Sequence, residues 1–277
     1  MSKTLGKALQ LLTLFNEEKP YWRLDELSKF ADMPKPTVFR LLKTFEENGF
    51  VQRVNFHHGG VFIEGERYEL GTRLLELGQI VASKYEIRNI ALPYMRDLQK
   101  QLNESVQLVI RENNEGVYIE KVESDKPVRL YTKIGRKAPL YAGACPRILL
   151  SFLDNQVIEN ILAQPLESYG QKTMLSREEI WKVIHQTRER GYTYSNSELE
   201  DGTAAFGTPI FDRFGEIAGS LSVAGFASQL REEDAMTYVI PMWEVSEKIS
   251  KQLGFTKPYV YLEQIKRGGE SEKKEQL

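Results

Sequence analysis

Leu24 to Arg53 read LDELSKFADMPKPTVFRLLKTFEENGFVQR, and this stretch decides the fold of the first part of the chain. Leu24, Leu27, Phe30 and Ala31 make a short amphipathic segment that stops at Asp32-Met33-Pro34. A second segment begins near Pro36 and carries Val38, Leu41, Leu42 and Phe45 at helical spacing. Gly49 ends it, and a β-rich run with Phe50, Val51 and Val54 follows. Two short helices, a tight turn and a hairpin outline a winged helix-turn-helix, a motif whose second helix usually lies in the DNA major groove.

Lys35, Thr37, Phe39, Arg40 and Lys43 would project from one side of that second helix, opposite the apolar stripe. They are the candidate DNA contacts. Arg suits the N7 and O6 of guanine, and Lys and Thr suit phosphates or base edges. Phe39 would pack on a thymine methyl or the sugar backbone. The plainer alternative is a solvated helix face.

Working outward, Thr4 to Asn16 reads as a helix with Leu5, Ala8, Leu9, Leu12 and Phe15 on one stripe. Residues 50–70 read as the wing, with strands at Phe50–Arg53 and Tyr68–Leu70 and a long, mobile tip between them. The tip carries His57 and His58, which could contact phosphate. No cysteine lies nearby to complete a metal set, so no metal is expected. Gly71-Thr72 opens a helix to about Arg88, with Leu74, Leu77, Val81 and Tyr85 at three- and four-residue steps. That stripe needs a partner, so the expected boundaries are 1–70 for the head and 71–89 for a linker helix.

The remainder reads as a helix over Ile90–Asn103 and strands at Val106–Arg111, Val117–Val122 and Val128–Lys133. A helix follows at Pro146, and another, opened by the capping box Ser176-Arg-Glu-Glu179, ends at Gly191. Strands at Thr203–Asp212 and Glu216–Ala224 come next, then a closing helix over Arg231–Leu253 with Pro241 as a candidate kink. This order predicts an α+β domain over 90–255, an antiparallel sheet with packed helices. Residues 256–277 are charged and read as a disordered tail.

Composition narrows the classes. The chain has 277 residues, 41% hydrophobic and 27% charged, with a net charge of −2. Ten Lys/Arg against ten Asp/Glu in the first 70 residues exclude a generally basic head. Instead Lys35, Arg40, Lys43 and Arg53 cluster at the second helix, as suits a sequence-selective binder. No long apolar run predicts a membrane span, and a single cysteine, Cys145, fits a reducing cytoplasm. His57, His58 and His185 are the only histidines, and none adjoins Cys145 in sequence. With no nucleophile–base pair, Walker motif or dinucleotide fingerprint, neither enzymatic activity nor a cofactor is expected.

Four segments carry a resemblance: MPKPTVFRLLKTFEENGFV, YELGTRLLELG, IGRKAPLYAGACPRILLSFL and RGYTYSNSELEDGTAAFGTPIFDRFGEIAGSLSVAG. In this order and at these separations they resemble the IclR family of bacterial transcriptional regulators, over roughly residues 4–255. The resemblance implies a winged helix-turn-helix, a linker helix and a GAF-like effector domain. It implies double-stranded operator DNA as partner, with repression favoured over activation, and dimers through the N-terminal domains, often dimers of dimers. It also implies a small-molecule effector of the sugar-acid, aromatic-acid or keto-acid class.

Carried onto matching positions, the effector residues are Ala144, Cys145, Ser195, Glu198, Thr203, Ala205, Ser222 and Ala224. Strand alternation puts Thr203 with Ala205, and Ser222 with Ala224, on shared faces. The plainer alternative is that these small residues merely permit close sheet–helix packing. The chain departs from the family at Tyr141, where histidine is usual, and at Ala144-Cys145-Pro146-Arg147, where small residues and glycine-lysine are usual. Pro146 removes a backbone donor at the helix start. Arg147 is the expected substitute source of positive charge, favouring an anion larger than a keto acid.

Overall fold

The computed structural model describes residues 3–16, 18–54, 57–58, 61–62, 66–83, 86–127 and 132–262. The chain divides into two compact units, Met1–Lys84 and Tyr85–Leu277.

The first unit runs α1 (Lys3–Thr13), α2 (Leu24–Phe30), α3 (Lys35–Glu47), β1 (Val51–Val54), β2 (His57–His58), β3 (Val61–Phe62), β4 (Arg67–Leu70) and α4 (Thr72–Ser83). The Glu26 carboxylate accepts the Arg23 backbone N–H at 3.0 Å at the start of α2. After α2, Asp32 takes a left-handed φ of 51° and the Ser28 hydroxyl donates to the Met33 carbonyl at 2.6 Å. Pro36 falls in the first turn of α3, where its missing N–H leaves no helical bond unmade. Leu11, Leu27, Val38, Leu42, Val51 and Tyr68 form the core. Trp22 extends the wing by a reciprocal backbone pair with Tyr68, at 3.0 and 2.8 Å.

Two expectations are revised here, the first helix and the wing tip. The first helix ends at Thr13, short of Asn16. The wing tip contains its own ladder, His57 opposite Phe62 and His58 opposite Val61; the rest of the expected mobile tip lies outside the described residues. Helix is described over Thr72–Ser83 and again from Glu86; residues 84–85 of the expected linker helix to 89 lie outside the described residues.

The second unit runs α5 (Glu86–Leu102), β5 (Ser105–Glu112), β6 (Glu115–Val122), β7 (Lys137–Pro139), α6 (Ala144–Ser151), α7 (Asn155–Leu162), α8 (Arg177–Arg190), β8 (Thr193–Asn196), β9 (Thr203–Phe211) and β10 (Ile217–Phe226). A 3₁₀ turn at Glu232–Asp234 leads into α9 (Ala235–Gln252), which continues through Pro241. Among the described residues six strands form one antiparallel sheet in the order β7-β6-β5-β10-β9-β8.

Period-two alternation sorts the sheet into two faces. Val106, Leu108, Phe206, Ile210, Leu221 and Val223 pack with Met95 and Leu98 of α5 and Val239, Met242 and Ile249 of α9. On the other side, Val109 and Tyr118 pack with α6, α7 and α8 through Cys145, Leu149, Ile158, Ile161, Ile180 and Ile184. A sheet covered on both faces by helices is the α+β arrangement expected.

Of the expected strand Val128–Lys133, residues 128–131 lie outside the described residues and Thr132–Lys133 are irregular. The sheet edge is β7, which the sequence reading missed along with β8 and α7. The tail is also revised. Tyr259, Tyr261 and Leu262 are buried in the core, with Tyr259 donating to the Pro209 carbonyl at 2.7 Å and Tyr261 to the Arg188 carbonyl at 3.0 Å. Residues 263–277 of the expected disordered tail lie outside the described residues.

Candidate DNA interface and effector cavity

The α3 helix separates its faces as an exposed recognition helix should. Val38 and Leu42 are fully buried, whereas Lys35, Phe39, Arg40 and Lys43 are exposed and Thr37 is half-buried. Phe39 keeps 43% of its surface in solvent. The charges are less free than the sequence implies. Lys35 pairs with Asp25 at 2.6 Å and holds that carboxyl below its usual range by hydrogen bond and charge. Lys43 lies 4.0 Å from Glu47, and Arg53 binds Glu46 at 3.0 Å and Glu66 at 3.3 Å. Arg40 alone of these four cations has no ion-pair partner among the described residues. Its guanidinium is therefore not held by an acid among the described residues.

In the second unit, a cavity opens between the start of α6 and the sheet face bearing Ser222 and Ala224. Counting its open mouth it encloses about 480 Å³, of which about 50 Å³ admits the centre of a water molecule. Ala144, Cys145, Ser195, Thr203, Ala205, Ser222 and Ala224 line it, so seven of the nine expected effector residues are brought together. Gly143 precedes α6 with a φ of 85°, and a Cβ there would stand 2.5 Å from Leu199, another lining residue. Only glycine lets the loop carrying Leu199 come this close.

Arg147 and Glu198 do not line the cavity, and this corrects their expected role. Arg147 is 1% exposed. It donates to Glu198 Oε1 at 2.9 Å, to the Tyr194 carbonyl at 2.6 Å and to the Thr193 hydroxyl at 3.1 Å, and forms a second bond to Glu198 Oε2. That same Oε2 accepts the Gly143 backbone N–H at 3.1 Å. The chain's own carboxylate therefore meets both the start of α6 and the charge that was expected to draw a ligand.

Tyr141 is likewise turned to structure. Its hydroxyl donates to the Glu167 carbonyl at 3.0 Å and accepts the Glu167 N–H at 2.8 Å.

The remaining lining residues were missed from sequence. Gln107 lies opposite Ser222 in the sheet register, accepts its hydroxyl at 3.2 Å and donates to the Thr132 hydroxyl at 2.7 Å. A glutamine inside the apolar run Val106-Gln107-Leu108-Val109 is the signal that could have found it. Tyr118, Arg136 and Glu200 complete the polar wall. Burial raises the Tyr118 phenol and pushes the Cys145 thiol up to about 12, so both are neutral hydrogen-bonding groups near pH 7. A Cys145 so buried lacks the depressed pKa of a reactive nucleophile. The cavity can hold and orient a small polar molecule.

An exposed helix presented by a winged helix-turn-helix, with a separate cavity-bearing α+β unit, defines a DNA-binding transcriptional regulator. Residues 4–55 match the IclR helix-turn-helix domain and residues 79–251 match the bacterial transcriptional regulator IclR C-terminal domain. The chain belongs to the IclR family, whose members regulate transcription and are not enzymes. It is similar to the HTH-type transcriptional regulator KipR of Bacillus subtilis, 40% identical over 256 residues, 92% of this chain and 98% of that one.

Among solved structures it is similar to Thermotoga maritima IclR, with a TM-score of 0.78 and 28% identity over 92% of this chain and all of the other. The fold is also that of an IclR homologue from Microbacterium hydrocarbonoxydans complexed with 4-hydroxybenzoate, at a TM-score of 0.76 and 23% identity, covering 91% and 99% of the two chains. No helix among the described residues is long and apolar enough to cross a membrane.

Proposed function

We propose that this regulator is a homodimeric or tetrameric repressor whose grip on operator DNA is set by a small molecule bound in the α6–sheet cavity. Residues 1–70 would form the DNA-binding head, 71–89 the linker, and 90–255 the effector domain. Lys35, Thr37, Phe39, Arg40 and Lys43 would meet the operator, with Arg40 reading base edges or phosphate. Ala144, Cys145, Ser195, Thr203, Ala205, Ser222 and Ala224 would meet the effector.

The observation that carries this reading is the cavity itself. It joins seven residues that lie up to 80 positions apart, on α6, β8, β9 and β10, and it is lined by hydroxyls and small side chains. The plainer alternative, small residues placed only for close packing, would leave no such space. Support for an organic acid comes from the 4-hydroxybenzoate bound by the Microbacterium homologue. Control of DNA binding requires the effector to favour one arrangement of the protein over another.

A thermal-shift screen of organic acids, sugars and aromatics tests the reading. An effector raises the melting temperature by mass action, and the rise disappears when Ser222→Val removes a hydrogen-bonding wall residue. A rise that persists in that variant would place the ligand elsewhere.

A further inference from the structure

We propose that Arg136 is the residue that recognises a carboxylate on the effector, and that Glu200 holds its place until the ligand arrives. The inference rests on the effector reading of the cavity and goes further by naming the ligand's chemistry and its point of attachment.

Arg147 is closed off by Glu198, so the cavity's positive charge must come from elsewhere. Arg136 is the one cation that lines it among the described residues. Its guanidinium lies 5.9 Å from the centre of the Tyr118 ring, itself a lining residue, which favours a fixed orientation for the fork. A guanidinium presents paired donors that match a carboxylate.

At present one of those donors, Nη1, meets Glu200 Oε1. This pair differs from the buried Arg147–Glu198 pair. The Arg136 side chain is 28% exposed and that of Glu200 47%, so water can solvate the acid if it is displaced. Arg136 and Glu200 also line a shallower depression outside the cavity, together with Lys133, Ile134 and Gly135. The pair thus stands where a ligand passes from the outer depression to the inner wall. At that inner wall the groups are neutral: Gln107, Ser222, Thr132 and the Cys145 thiol.

The chemistry that fits is a small acid with a carboxylate at one end and a neutral hydrogen-bonding group at the other. Its carboxylate would take Arg136 from Glu200, releasing the β8–β9 loop from the turn at Gly135.

The experiment uses full-length wild type, Arg136→Gln and Glu200→Gln. Binding is followed by thermal shift and calorimetry with 4-hydroxybenzoate, gluconate and pyruvate, and with 4-hydroxybenzamide, glucose and pyruvamide as uncharged counterparts. Both exchanged residues are partly exposed, and unliganded melting temperatures close to wild type verify folding. At least one acid should bind wild type, bind Glu200→Gln more tightly because its competitor is gone, and bind Arg136→Gln at least about tenfold more weakly. Acid binding undiminished in Arg136→Gln, or binding by uncharged counterparts alone, overturns the role of Arg136 while leaving the effector cavity standing. Failure of every probe on all three proteins overturns both.

Discussion

At the scale of single residues, the chain spends two kinds of arginine differently. Arg147 is locked to Glu198 in the buried interior, whereas Arg40 stands exposed on α3 without an acidic partner among the described residues. Breaking a buried pair by removing one partner strands the other charge, typically at about 3–5 kcal/mol. Glu198→Ala should therefore lower stability by about that amount, read as a lower urea midpoint. The paired replacement Arg147→Met with Glu198→Leu should recover most of it, since neither charge is then stranded. If Glu198→Ala leaves the midpoint unmoved, the pair is not the structural element described.

Arg40→Ala should do the opposite. Operator affinity should fall by about 1–3 kcal/mol in fluorescence anisotropy, with the melting temperature unchanged. Lys43→Ala should cost less, because Lys43 already shares its charge with Glu47. The sequence showed both arginines but not that Arg147 is paired while Arg40, among the described residues, is not. Glu198 lies 51 positions from Arg147, and no local pattern announces a contact of that range.

At the scale of elements, local signals and long-range ones separate clearly. Ser176 caps α8 by accepting the Glu179 N–H at 3.4 Å, one half of the expected capping box, and Gly191 closes it with a φ of 72°, as the glycine stop anticipates. The β5–β6 hairpin turns at Asn113, whose φ of 58° suits asparagine. By contrast β8 reads Thr193-Tyr194-Ser195-Asn196, short and polar, and becomes a strand only because β9 supplies its ladder.

The segment after Phe255 looked like a tail because its charges begin just beyond. Its three buried residues, Tyr259, Tyr261 and Leu262, are too few to show a period. Gly191 couples these two cases. A Cβ at this position would sit 2.2 Å from the Tyr261 ring and would also strain a left-handed backbone. Gly191→Ala should therefore destabilise the second unit by more than about 1 kcal/mol and expose the segment to limited proteolysis near Tyr259. A tolerated substitution would mean that Tyr261 is not docked as described.

At the scale of the whole molecule, the sequence made the division of labour legible and left the site's floor illegible. The head was readable because a helix-turn-helix is a local pattern. The seven cavity residues were reachable only through the family resemblance, supported by strand alternation at Thr203 with Ala205 and Ser222 with Ala224. Tyr118, Arg136 and Glu200 were not, since their convergence depends on how β6 and two loops fold over one another. Assembly belongs to this scale too. The proposed dimer would draw on exposed leucines of the head: Leu9 on α1 and Leu75 on α4 are 55% and 64% exposed. Leu75→Glu should shift the mass measured by light scattering toward the monomer and weaken operator binding. An unchanged mass would place the dimer contact elsewhere.

Control of operator binding by occupancy of the cavity is read out by fluorescence anisotropy. An operator fragment selected from genomic DNA is titrated with the protein, with and without a stabilising ligand. The same titration is run with Ala224→Leu, which fills the cavity. Ligand should weaken operator binding of the wild type at least about tenfold, a coupling of about 1.4 kcal/mol. Ala224→Leu should show no ligand response and still bind DNA. Operator affinity unchanged at saturating ligand, or an equal response in both proteins, would mean that occupancy of the cavity does not control operator binding.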